Sequence, residues 1–126
     1  MEGVEIPDKL TLRVEQDGRK AVLSPTGELD LASGEKLTDR LRAVEAEKPP
    51  LIVLDLQGLR FMDSSGLALV IRAHTRARNE GRRFVIVPGP PQVQRVFTIT
   101  GLDTVLDFDD GPLPDTFDRG RQEHAS

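Results

Sequence analysis

The segment Leu51-Ile-Val-Leu-Asp-Leu56 constrains this chain more than any other, because it is almost continuously aliphatic, with Asp55 its only polar residue. A short run without alternation fits a strand covered on both faces, which is the pattern of parallel and mixed sheets with packed helices. The surrounding sequence supplies such elements. Leu10-Thr-Leu-Arg-Val14 alternates apolar and polar residues, Asp17-Gly18 reads as a turn, and Lys20 to Ser24 resumes with Ala21, Val22 and Leu23. That pattern predicts two antiparallel strands. Beyond Pro25-Thr26-Gly27, the residues Leu37, Leu41 and Val44 recur at helical spacing, with Arg40, Arg42 and Glu45 on other faces. This is an amphipathic helix, expected to be capped by Ser33 and ended by Pro49-Pro50.

After the central run, Leu67, Val70, Ile71, His74 and Ala77 trace one face of a second helix from Ser64 to about Glu80, with Gly81 at its C-terminal stop. Arg83 to Val87 reads as another buried strand. Pro88 to Pro91 opens a third helix carrying Val93, Val96, Phe97 and Thr100, which a Schellman-type turn at Gly101-Leu102 closes. Thr104 to Phe108 reads as a last short strand. The expectation is one α/β domain over residues 10–108, with a mixed, mostly parallel sheet of about four to five strands and helices packed on it. Residues 1–9 are expected to form an N-terminal arm, and Asp109 to Ser126, whose only large apolar residues are Leu113 and Phe117, a disordered tail.

Composition narrows the function. The length of 126 residues suits one core, and 17 Lys and Arg against 21 Asp and Glu leave a net charge of −4, without the cationic excess of a nucleic-acid binder. Aromatic residues are 4%, with no Trp or Tyr, so stacking platforms for single strands are missing as well. Absent Cys removes disulfides, thiolate metal ligands and a cysteine nucleophile. The acidic start, with Glu2, Glu5 and Asp8, does not resemble a signal peptide, and no apolar run spans a bilayer. A cytoplasmic protein without membrane contact is expected.

No Walker loop, GxGxxG, HExxH or GxSxG occurs, and neither His74 nor His124 has a second ligand at metal spacing. A triad of Asp63, Ser65 and His74 fails on geometry, since nine helical positions separate Ser65 from His74, a rise of about 13.5 Å. No enzyme, metal or cofactor is therefore expected. What remains is Phe61-Met-Asp-Ser-Ser-Gly-Leu67, between the central strand and the second helix. These residues suit any strand-to-helix turn, with Asp63 or Ser64 accepting from free amides and Gly66 allowing close packing. They equally suit an exposed hydroxyl that carries a phosphate at a helix start. The residues alone leave both readings open.

The run from Leu51 to Leu67 resembles the STAS domain family, and within it the bacterial anti-sigma factor antagonists. Gly27-Glu-Leu-Asp30 is similar to the family's loop before its first helix, and Pro91 to Phe97 with Thr100-Gly-Leu102 to its third helix and exit turn. The resemblance spans residues 10 to 108 and leaves Asp109 to Ser126 outside. It implies a single STAS domain that acts as a switch in transcription regulation, of the stress-response or sporulation kind. The unphosphorylated form would bind an anti-sigma serine kinase and free a sigma factor. Phosphorylation would switch it off, and a PP2C-type phosphatase would restore it.

By the same resemblance Ser65 is the phosphoacceptor. Asp63 and Ser64 border the site, Gly66 lets the partner approach, and Asp30 joins the kinase-facing surface; Asp30 serves equally well as a plain cap of the first helix. A non-phosphorylated interaction subunit of a lipid-transport complex or signalling scaffold is the alternative, and a small-molecule binder finds little support without a phosphate loop. Arg72, Arg76, Arg78, Arg82 and Arg83, and the acidic run from Asp103 to Asp118, are expected to be solvated faces.

Overall fold

The computed structural model describes residues 9–109. Strands β1 (Leu10–Gln16) and β2 (Lys20–Leu29) are followed by helix α1 (Leu31–Ala46), strands β3 (Leu51–Asp55) and β4 (Leu59–Met62), and helix α2 (Ser64–Asn79). Strand β5 (Arg83–Val87), helix α3 (Pro91–Thr100) and a 3-10 turn (Leu102–Thr104) complete the domain. The five-stranded sheet runs β1-β2-β3-β5, with β4 also paired to β2. Only the β1–β2 hairpin is antiparallel; β2–β3, β2–β4 and β3–β5 are parallel. Gly18, at φ 89°, makes the hairpin turn, and the Asp17 carboxylate accepts from the amides of Arg19 and Lys20 at 3.0 and 3.1 Å.

The expected central strand is central. Leu51 to Leu54 are all buried, with Ile52 and Leu54 in the main core and Leu51 and Val53 in a smaller cluster with Val22, Val85 and Val87. The main core also takes Leu37, Leu41 and Val44 from α1, Leu67, Leu69, Val70, Ala73 and Ala77 from α2, and Val93 and Phe97 from α3. Helix α2 ends in a Schellman turn, with the amide of Arg82 donating to Ala77 O at 2.9 Å and Gly81 at φ 70°. Gly101, at φ 78°, is likewise left-handed and ends α3.

Three expectations need correction. The segment after β3 holds a further strand, β4, because the chain turns at Gln57-Gly58 and rejoins β2 beyond the end of β3 with a shifted register. Thr104 to Phe108 is not a strand. The carbonyl of Leu102 captures the amides of Val105 and Leu106, which curls the chain, and only Phe108 bridges Ile86. Finally, α1 is capped by Asp30, with Ser33 as the reciprocal member of the capping box. The expected tail, from residue 110 onward, and the arm before Lys9 lie outside the described residues.

Candidate functional site

Parallel pairing sets Leu29 of β2 opposite Met62 of β4, and the amide of Asp63 donates to Leu29 O at 3.3 Å. The two strands therefore end level, and α1 and α2 begin side by side. Each start is closed by an aspartate. Asp30 Oδ1 accepts from the amide of Ser33 at 2.9 Å, while Ser33 Oγ accepts from the amide of Asp30 at 3.0 Å and donates to Glu28 O at 2.7 Å. Asp63 Oδ1 accepts from the amides of Ser65 and Gly66 at 2.9 and 3.2 Å. The cap of α2 is thus Asp63, and Ser64 is left as an exposed first helical residue.

Lys9 donates to Asp30 Oδ2 at 2.7 Å. That hydrogen bond, with the amide of Ser33, holds the Asp30 carboxyl down at about 2, and the same contact raises the Lys9 ammonium above its ordinary value. Asp30 and Ser65 line one groove between α1 and α2, of about 500 Å³, with Leu31, Gly34, Glu35, Thr38, Asp39, Leu69 and Arg72. Ser65 is half-buried there, and among the described residues no hydrogen bond engages the hydroxyl of Ser64 or of Ser65. The structure so brings Asp30, Asp63, Ser64 and Ser65 to one surface.

Gly66 lies on the inner side of that surface. It is buried, and a Cβ there would stand 2.6 Å from Met62 Cγ and 3.0 Å from Leu29 Cγ. Its hydrogen-only side chain lets α2 begin tight against β2 and β4.

Two neighbours of the site escape the sequence patterns. Leu31, 77% exposed, opens α1 off the Leu37-Leu41-Val44 stripe, and Phe61, 47% exposed, lies on the unforeseen β4. An aliphatic residue beside a cap yet outside the helical repeat was the available signal for Leu31. The arginines of α2 and of the turn after it are partly absorbed by structure. Arg76 makes a two-pronged pair with buried Glu45 of α1, both contacts at 2.9 Å, and Arg82 donates to Glu80 at 2.6 Å and to Pro49 O at 3.1 Å.

His74 sits on α2 with its Nε2 buried and unpartnered, and the unbroken helix keeps it nine positions from Ser65. Among the described residues no cluster of three or more metal-ligating side chains occurs, and no helix is long and apolar enough to cross a membrane.

The architecture defines an α/β module whose candidate surface is a paired helix start rather than an enclosed cavity. The chain belongs to the STAS domain family, whose model it matches over residues 11–118. It is 31% identical over 97 residues to the anti-sigma-F factor antagonist RsfB of Mycobacterium tuberculosis, an alignment covering 77% of this chain and 79% of that protein. The crystal structure of an anti-sigma factor antagonist from Mycobacterium paratuberculosis superposes with a TM-score of 0.79 at 29% identity, covering 94% of this chain and 99% of the other. The anti-sigma factor antagonist SpoIIAA in its unphosphorylated form gives 0.75 at 25% identity, over 89% and 97%.

Proposed function

We propose that this chain is an anti-sigma factor antagonist that works by partner switching in the cytoplasm. Unmodified, it binds an anti-sigma serine kinase and thereby releases a sigma factor. The kinase then transfers the γ-phosphoryl group of ATP to Ser65 Oγ, with loss of the hydroxyl proton and departure of ADP. A PP2C-type phosphatase returns the hydroxyl by hydrolysis. The observation that carries this reading is the unengaged, half-buried Ser65 hydroxyl in the groove it shares with Asp30. The relatives support it: three of them bear the antagonist name, and one of these is described by its phosphorylation state.

Docking would use Asp30, Asp63 and Ser64, with Gly66 setting the height of the turn. A phosphate adds about −1.5 to −2 charges where the partner must exclude water, so the interface fails while the fold stands. Incubation with the cognate anti-sigma kinase and ATP, followed by mass-spectrometric mapping, tests the assignment. Phosphate on Ser65, abolished in Ser65→Ala, is expected; phosphate confined to Ser64 or elsewhere overturns it.

A further inference from the structure

Lys9 stands where the start of β1 passes the two helix starts. Its carbonyl accepts from the amide of Glu28 at 2.8 Å. Gly27, at φ 114°, permits that approach, because a Cβ there would collide with the Lys9 carbonyl oxygen. The backbone is therefore fixed, while the side chain, 53% exposed, reaches Asp30 Oδ2 at 2.7 Å. Glu28 and Asp63 add to the negative field on its ammonium.

The caps follow directly on the paired residues Leu29 and Met62, so Asp30 and Asp63 are neighbours at the two helix starts. Asp63 in turn holds the amide of Ser65 at 2.9 Å. Ser65 shares its groove with the carboxylates of Asp30, the cap of α1, and of Glu35 and Asp39 further along α1, while Asp63 caps its own helix start. Three cations stand about the helix starts: Lys9 on Asp30, Lys36, which donates to Leu10 O at 2.8 Å, and Arg72, which lines the groove of Ser65. Arg72 lies seven residues down α2, a rise of about 10.5 Å, whereas Lys9 already sits at the level of the caps.

We propose, on the reading of Ser65 as phosphoacceptor, that Lys9 is the phosphate-binding residue of this switch: a phosphoryl group on Ser65 draws the Lys9 ammonium off Asp30. The competition favours the phosphate. It brings up to two charges and three acceptor oxygens against one carboxylate whose other oxygen is committed to Ser33. The Lys9 backbone is anchored and its side chain is half-exposed, so the four-carbon arm can re-aim from Asp30 towards the neighbouring helix start, whose cap Asp63 already acts on its ammonium. The transfer leaves Asp30 without its cation. One modification then alters the surface at both helix starts, which spreads its effect beyond the footprint of the phosphate.

The test installs phosphoserine at position 65 of the full chain by amber-codon suppression. The parent is compared with Lys9→Met and Arg72→Met, each shown to be folded by circular dichroism. A phosphorus-31 NMR titration reads the second ionisation of the phosphate, and a carbon-13 titration reads the Asp30 carboxyl.

In the parent the phosphate should ionise below its ordinary value near 6. Lys9→Met should raise that midpoint by roughly one pH unit, tenfold in the proton-binding constant, with a much smaller change for Arg72→Met. Asp30, held at about 2 in the unmodified protein, should rise towards 3.8 once Ser65 carries phosphate. An unchanged phosphate midpoint in Lys9→Met, a larger shift in Arg72→Met, or an Asp30 that stays low overturns the proposal. Because the phosphoserine is built in, the result does not depend on which serine a kinase selects. Kinase mapping to Ser64 would overturn the functional reading and leave this measurement intact.

Discussion

Alanine at Gly66 and alanine at Gly34 should move stability in opposite directions, although both glycines are buried in helices that frame the same groove. In an exposed helix Gly→Ala gains about 0.8–1 kcal/mol from backbone propensity. At Gly34 the new methyl meets only Leu69 Cδ1, at 3.4 Å, an ordinary contact with a movable branch end. The propensity gain should survive, for a net stabilisation of about 0.5–1 kcal/mol. At Gly66 the methyl would stand 2.6 Å from Met62 Cγ and 3.0 and 3.1 Å from Leu29 Cγ and Cδ2. Leu29 and Met62 are 0% and 3% exposed, so neither can swing into solvent. Overpacking costs about 1–3 kcal/mol, and a 2.6 Å clash with closed neighbours falls in the upper half of that range, which leaves a net loss of about 1–2 kcal/mol after the propensity gain. For a domain of this size that corresponds to a melting temperature lower by roughly 5–15 °C. Urea and thermal unfolding followed by circular dichroism measure both variants. If Gly66→Ala proved as stable as the parent, or Gly34→Ala fell with it, the packing assigned to the α2 start would be wrong.

Other perturbations follow from the same contacts. Asp63→Ala should cost about 1 kcal/mol by loss of the α2 cap, whereas Ser64→Ala should stay within about 0.5 kcal/mol of the parent in urea unfolding; the reverse order would transfer the cap to Ser64. The folded Asp30 carboxyl lies at about 2 against 3.8 for the unperturbed group. Its contribution to stability is complete above pH 3.8 and fades as pH falls towards 2, so Asp30→Asn should flatten that part of the stability–pH curve. Arg76→Ala leaves Glu45 buried without its two-pronged partner and should cost about 2–3 kcal/mol. The double variant Glu45→Leu with Arg76→Leu should recover most of that loss in the same assay.

Periodicity carried most of the fold in the sequence, and its failures have local causes. Strand β3 announces itself because both of its faces are apolar, and α1 because Leu37, Leu41 and Val44 keep strict helical spacing. Strand β4 shows no such mark. It has four residues, Arg60 and Phe61 between its buried ends are exposed, and its pairing with β2 depends on a turn at Gly58. Thr104 to Phe108 has the composition of a strand, yet two amides captured by one carbonyl at Leu102 decide its path.

At the candidate site the sequence pointed to Asp30, Asp63, Ser64, Ser65 and Gly66 through a resemblance, while the residues by themselves left an ordinary turn as a full alternative. The Asp-x-x-Ser spacing of Asp30 and Ser33 fits a capping box, and only the geometry shows which member is the cap. The 2.7 Å contact from Lys9 to Asp30 joins residues 21 positions apart, and the collar of Leu29 and Met62 around Gly66 joins two strands and a helix. Neither leaves a trace in local sequence.

The affinity of the two forms for the cognate anti-sigma factor tests the switch most directly. Isothermal calorimetry on unmodified protein and on protein stoichiometrically phosphorylated at Ser65 should give a dissociation constant at least tenfold larger for the phosphorylated form, a loss of about 1.4 kcal/mol or more. Equal affinities would contradict the partner-switching account.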